Sequence, residues 1–193
     1  MGNISVGGNG KTPVVLALAE YYKKRGVTVG ILSRGYGAQS PVYPRIVNVD
    51  DNPAEVGDEP RLLAGRSGCT VVIDPVRARG AKYLESHCGC DLIICDDGLQ
   101  HYALSRDIEL VVMDDRRIGS GYLLPMGPLR EGIWRLGNVD AVIHNGSSIP
   151  DFDQSVAPQF LMSLSAGEFV NVANGEETTS LASLQSVQCS ALA

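Results

Sequence analysis

Residues 5–13, Ser-Val-Gly-Gly-Asn-Gly-Lys-Thr-Pro, constrain this chain more than any other stretch. Glycines let the backbone curl until successive N–H groups converge on one point, which makes a nest for an anion. A helix opening directly behind the loop adds the positive end of its dipole. Asn3–Val6 reads as a short extended run, and Pro13–Arg25 as a helix with Val14, Val15, Leu18, Ala19 and Tyr22 near helical spacing. Lys23, Lys24 and Arg25 suit the negative end of that helix, and Gly26 suits its C-terminal cap. Strand, glycine loop and a helix opened by Lys-Thr is the context of a phosphate-binding P-loop. The pattern G-x-x-x-x-G-K-[ST] is met except at its first position, where Ser5 stands. Gly7, Gly8, Asn9, Gly10, Lys11, Thr12 and Pro13 are therefore the candidate nucleotide-binding residues. In such a loop the lysine reaches the β- and γ-phosphates and the hydroxyl ligates Mg²⁺.

The rest of the chain repeats strand and helix. Val27–Leu32, Val71–Ile73, Leu92–Cys95, Leu110–Met113 and Ala141–Ile143 read as strands, and Val76–Ser86 as a helix. The strand runs are apolar throughout rather than alternating, as a parallel sheet covered on both faces requires. The expected fold is α/β, a P-loop NTPase-like, doubly wound and mostly parallel sheet with helices on both faces. Gly37–Gly57 and Asp114–Gly137 read as long irregular connections. The 193 residues suit one P-loop nucleotide-binding α/β domain, 1–193. Barely four residues precede the glycine loop, where a buried strand of about five or six is expected. Ser186–Leu192 reads as the start of another extended segment, so the expectation is a domain cut at both ends.

Composition narrows the function. The chain is 44% apolar and 20% charged, as suits an ordinary folded core. No run approaches the 18 or so apolar residues of a membrane span. A formal charge of −6 argues against nonspecific nucleic-acid binding as the main task. Twelve arginines stand against four lysines, and the planar guanidinium fork suits phosphate and carboxylate. Five cysteines (69, 88, 90, 95 and 189) have no disulfide or metal-site spacing, consistent with a reducing compartment.

Two acidic stretches complete the pattern. In Asp91–His101 an apolar strand runs straight into Asp96 and Asp97. That places carboxylates at the carboxyl edge of the sheet, where a nucleotide-bound Mg²⁺ is held. In Val56–Ala64, Asp58 and Glu59 precede Pro60 and a short helical run; carboxylates there also serve as helix caps. A P-loop alone does not choose among ATPases, GTPases and small-molecule kinases.

Taken in order, the strings Gly2–Pro13, Gly30–Gly37, Val56–Ala64, Cys95–Asp114 and Gly121–Glu131 closely resemble the bacterial tetraacyldisaccharide 4′-kinase family, over nearly the whole chain. Ser5 in place of glycine is also that family's habit. The resemblance implies transfer of the γ-phosphoryl group of ATP, with Mg²⁺, to the 4′-hydroxyl of an acylated glucosamine disaccharide 1-phosphate in lipid A biosynthesis. It implies a peripheral enzyme at the cytoplasmic face of the bacterial inner membrane, with no nucleic-acid partner. Carried over by position, Lys11 and Thr12 hold phosphates and metal. Asp58 takes the proton of the attacking hydroxyl, Asp96 and Asp97 lie on the metal side, and His101 and Arg130 are needed for turnover. Arg34 and Tyr36 are candidates for the acceptor site. The resemblance also implies an N-terminal membrane segment and a C-terminal domain beyond the part present here. The alternatives are a non-catalytic nucleotide-binding module or an ATPase that drives a partner. The latter type carries a second lysine early in its loop, where this chain has the apolar Val6.

Overall fold

The computed structural model describes residues 1–151, 156–165, 167–170 and 178–179. The expected extended segment Ser186–Leu192, and Cys189, lie outside them. The chain divides into two compact units, Met1–Met162 and Ser163–Ala193.

In the first unit the glycine loop feeds α1 (Lys11–Lys23), followed by β1 (Val29–Ser33), β2 (Arg45–Val47), α2 (Pro53–Val56), α3 (Asp58–Ser67) and β3 (Thr70–Ile73). Next come α4 (Arg77–Cys88), β4 (Leu92–Cys95), β5 (Leu110–Asp114), a 3₁₀ turn (Ile133–Gly137), β6 (Ala141–Asn145) and β7 (Gln159–Met162). One sheet has the order β2-β3-β1-β4 and a second β5-β6-β7, with every pairing parallel except β2 with β3. Between them lie Met1 and Gly2. The Met1 amino group donates to Cys95 O at 3.0 Å, and Gly98 N donates to Met1 O at 2.8 Å. On the other side Gly2 N donates to Leu110 O and Val112 N to Gly2 O. The P-loop thus leaves the sheet between β4 and β5, at its centre. This is the doubly wound α/β fold anticipated above. The second unit contributes an antiparallel pair, β8 (Phe169–Val170) and β9 (Thr178–Thr179).

Helices cover both faces of the first sheet. Val15 and Ala19 of α1 and Leu63 of α3 pack on Val29, Ile31, Val71 and Ile73. Leu84 of α4 packs on Leu32 and Val72, which point the other way along the same strands. The alternation of Ile31 and Leu32 between two cores is the period-2 geometry of a strand with no solvent face. Most of these side chains are fully buried, each stabilising by about 1.5–3 kcal/mol. Around β5 and β6 a third cluster joins Ile4, Leu99, Val111, Met113, Leu129, Leu136 and Val142.

Several boundaries differ from expectation. Asn3–Val6 is not a regular strand; only single bridges occur at Gly2 and Ser5. Beyond Gly2 the segment leaves β5 for the 128–130 turn: Arg130 N donates to Ile4 O and Val6 N to Pro128 O. Helix α1 begins two residues early, at Lys11, because Gly10 at φ 87° already ends the loop. Gly26, at φ 79°, completes its exit, with Val27 N reaching back to Tyr22 O. The stretch read as irregular, Gly37–Gly57, holds the edge strand β2 and helix α2, the latter capped by the Asn52 side chain accepting from Ala54 N. The other irregular stretch is mostly turns, closed by the 3₁₀ turn.

Candidate active site

The loop is built by two glycines and one buried asparagine. Gly7 and Gly10 adopt φ 103° and 87°, which side chains avoid. A Cβ at Gly10 would also come within 2.6 Å of Asn145 Nδ2. Asn9 is almost fully buried and ties the loop to its floor. Its Nδ2 donates to Ser5 Oγ at 3.0 Å and to Val112 O at 3.4 Å. Ser5 therefore holds the loop by accepting a hydrogen bond, which a glycine cannot do. Asn3 Nδ2 adds a bond to Gly7 O.

Four of the expected residues converge behind the loop. Lys11 Nζ lies 3.6 Å from Asp97 Oδ1, an ion pair, and its side chain is mostly buried. Arg130 Nη1 donates to both Asp97 oxygens, at 3.2 and 3.0 Å. Burial alone would raise the Asp97 carboxyl, but Lys11 and the Arg130 hydrogen bond outweigh it and leave it below the ordinary range. Asp97 sits at φ 46°, a left-handed position that aspartate tolerates better than most residues.

Asp96 is different. It is buried, and its Oδ1 has no hydrogen-bond partner among the described residues. Burial, then the charge of Glu59, pushes its carboxyl up from 3.8 to about 6, although Lys11 opposes the rise. A buried carboxylate with an orphaned oxygen costs free energy unless something answers it. Beside it, the Thr12 hydroxyl donates to Glu59 Oε1 at 2.8 Å. Two carboxylates and a hydroxyl are the hard oxygen ligands Mg²⁺ prefers. The donor set therefore fits the ion.

Asp58 and Glu59 both open α3, after Gly57 at φ 90°. Asp58 is exposed, and its side chain makes no hydrogen bond or ion pair among the described residues. It does not cap the helix, since the N-cap is Gly57 with no side-chain bond. The His101 side chain makes no hydrogen bond or ion pair among the described residues. Its imidazole pKa is lowered, chiefly by burial and then by Arg77 and Arg34, so it is held toward the neutral form. Pro13 lies inside the first turn of α1, and Arg34 and Tyr36 are exposed.

Two side chains escaped sequence reasoning. Glu59 was visible only as a neighbour of Asp58, and its bond to Thr12 spans 47 residues. Arg77, buried at the start of α4, donates to Leu32 O at 2.8 Å, to Asp96 O at 2.7 Å and to Asp97 O at 3.4 Å. It answers the carbonyls at the carboxyl ends of β1 and β4 and so holds the Asp96–Asp97 turn. A single arginine in a helix that reads as amphipathic carries no local sign of this.

The sheet order, the nest and the acidic edge together define a P-loop NTPase-like α/β protein, with the glycine nest at the point where the strand order reverses. The family model described as tetraacyldisaccharide-1-P 4′-kinase matches residues 1–193. This chain belongs to that family. The tetraacyldisaccharide 4′-kinase of Pseudoalteromonas atlantica is 54% identical over 175 residues, covering 90% of this chain and 55% of the relative. That of Colwellia psychrerythraea is 49% identical over 177 residues, covering 91% and 51%. A crystal structure of LpxK from Aquifex aeolicus in complex with ATP matches with a TM-score of 0.71 at 34% identity, over 83% of this chain and 51% of that one. The chain thus spans about half the length of the relatives it matches. Among the described residues no helix is long and apolar enough to cross a membrane.

Proposed function

We propose that this chain carries the ATP-binding half of a kinase that phosphorylates the 4′-hydroxyl of an acylated glucosamine disaccharide 1-phosphate, in lipid A biosynthesis. The observation that carries the reading is the meeting of Lys11, Arg130 and the Asp96–Asp97 edge behind a glycine nest, in a chain matched along its whole length by that kinase family. Gly7, Gly8, Asn9 and Gly10 surround the phosphates with backbone N–H groups, and Lys11 supplies charge at the β- and γ-phosphates. Pro13 shapes the turn that follows.

Asp96, Thr12 and Glu59 are the groups to hold Mg²⁺, with Asp97 oriented beside them. When bound, the ion neutralises charge on the β- and γ-oxygens. Asp58 accepts the proton of the attacking hydroxyl. That proton leaves late in a loose phosphoryl transfer, so an exposed carboxylate can receive it. His101, kept neutral by burial, offers the acceptor a hydrogen bond without adding charge. Arg130 brings positive charge to the transferred phosphoryl from the Asp97 side. An acyl-bearing substrate resides in a membrane while ATP is cytosolic. We therefore place the reaction at the cytoplasmic face of the bacterial inner membrane, with further segments of the protein making the membrane contact.

Acceptor-dependent release of ADP tests this. The chain, alone and within the full-length protein, is given ATP, Mg²⁺ and the acylated disaccharide 1-phosphate. Phosphorylated disaccharide from the full-length protein, absent in its Lys11→Ala variant, is expected. ATP hydrolysis indifferent to the acceptor would overturn the kinase reading in favour of an ATPase module.

A further inference from the structure

We propose that Arg116 is a positioning residue for nucleotide binding: anchored on Asp114, it sets the shape of the phosphate loop through Asn9. The proposal rests on the nucleotide site described above and adds to it a residue from the far side of the sheet's centre. Asp114 ends β5, and Arg116 follows two residues later. The Asp114 carboxylate accepts from Arg116 N at 3.1 Å and from Arg116 Nε at 2.7 Å, which orients the guanidinium from both ends of the side chain. Nη2, itself 2.5 Å from Asp114 Oδ2, also reaches across 107 residues of sequence. It donates to Asn9 Oδ1 at 3.0 Å and to Gly8 O at 3.3 Å.

These contacts have a direction. Asn9 spends its two amide hydrogens inward, on Ser5 Oγ and Val112 O. Its carbonyl oxygen is the remaining acceptor, and Arg116 takes it. Gly8 O is likewise a loop carbonyl that must turn away from the nest if neighbouring N–H groups are to face phosphate. A cation drawing that oxygen outward stabilises the phosphate-ready curl. The fit is close: a Cβ on Gly7 would lie 2.7 Å from Arg116 Nη1. A planar guanidinium answers Asp114, Asn9 and Gly8 together, and an ammonium cannot.

The guanidinium is largely exposed, so it does little for the core. Its effect falls on a loop that otherwise depends on Ser5 and Asn3. Losing a charge-assisted bond and the loop order that goes with it corresponds to about a tenfold weaker affinity for ATP.

The test uses Arg116→Ala and Arg116→Lys in the full chain, with a fluorescent ATP analogue, hydrogen exchange of the loop amides and thermal melting. For Arg116→Ala we expect about tenfold weaker binding and faster exchange confined to residues 7–10, with the melting temperature nearly unchanged. Arg116→Lys should recover only a minor part, and Asn9→Ala should add little to Arg116→Ala. Binding and loop exchange like those of the unaltered protein would overturn the proposal while leaving the nucleotide site intact. Full rescue by lysine would overturn it in favour of a simple charge effect. Faster exchange throughout β5 and β6 with a matching fall in melting temperature would overturn it in favour of a fold-supporting role. Failure of the unaltered protein to bind ATP would instead strike the proposed function itself.

Discussion

The phosphate loop and the Asp96–Asp97 turn meet at the Lys11–Asp97 ion pair and are held in opposite ways. The loop is mostly backbone, shaped by glycine dihedral angles, a few neutral hydrogen bonds and one arginine at its rim, with its middle open to solvent. The turn is buried, and its shape depends on charge: Arg77 beneath its carbonyls, Lys11 and Arg130 on Asp97, and Asp96 with an unanswered oxygen. The turn stores an electrostatic imbalance that a cation would relieve. Binding shape and binding charge are thus supplied by separate parts of the chain, and substitutions in the two should fail differently.

Lys11 bridges the two regions, so its removal should have the largest effect. We expect Lys11→Ala to lower the full-length protein's phosphoryl-transfer rate by a hundredfold to about a thousandfold. Folding should be nearly unaffected, because Asp97 keeps Arg130 as a partner. Circular dichroism melting beside steady-state turnover checks both halves. Near-normal turnover would break the assignment of the loop.

Asp96 separates the regions most sharply. Its carboxyl titrates near 6 in the folded protein and near 4 when unfolded, so the folded state holds the proton more tightly. Stability of the metal-free protein should therefore fall as pH rises from about 4 to about 6, then level off. The total is on the order of 3 kcal/mol. Asp96→Asn should remove that slope and raise the melting temperature at pH 7.5 in chelator, while lowering turnover in Mg²⁺. A loss of stability in step with activity would mean that Asp96 supports the fold instead.

The loop was legible in the sequence because its determinants are local. Glycine spacing, Lys-Thr and the start of a helix are read within nine residues, and even the apolar strands announce themselves by composition. Asp96 and Asp97 were legible as a strand end meeting two carboxylates. The distant supports of loop and turn were not, since Arg77, Glu59 and Arg116 act from 19 to 108 residues away and nothing near them in sequence marks the contact. Strand β2 was missed for a related reason. Three residues at an antiparallel edge, with Ile46 exposed, lack the apolar run that betrays a buried strand. The first extended run was overread, because its neighbours rather than its own residues decide where Asn3–Val6 leaves the sheet.

A smaller effect is expected for Arg130. Arg130→Ala removes the hydrogen-bonded partner of Asp97 but leaves Lys11, so turnover should drop by about tenfold. Arg130 is partly exposed, and its ion pair contributes at most about 1 kcal/mol to stability. The Asp97 carboxyl should move up toward its ordinary range, visible by carboxyl NMR. An unmoved Asp97 would mean that Lys11 alone sets its charge.

The smallest effect tests whether the loop really depends on a side chain at all. Ser5 occupies the place where the general P-loop pattern has glycine, and its hydroxyl accepts from Asn9. Removing it leaves the Asn9 amide with only the longer bond to Val112 O, at 3.4 Å. An impaired buried donor costs about 1 kcal/mol, or roughly a fivefold loss of ATP affinity. Two substitutions separate the hydroxyl from the backbone. Ser5→Ala keeps the Cβ and its conformational limits, whereas Ser5→Gly restores the general pattern but frees the chain. If the hydrogen bond is what matters, both variants weaken binding alike. If backbone restriction matters, only Ser5→Gly does so. Titration with a fluorescent ATP analogue resolves a fivefold difference. Equal, undiminished affinity in both variants would show that the glycines and Asn9 hold the loop without Ser5, and would sharpen the contrast between a backbone-built loop and a side-chain-built turn.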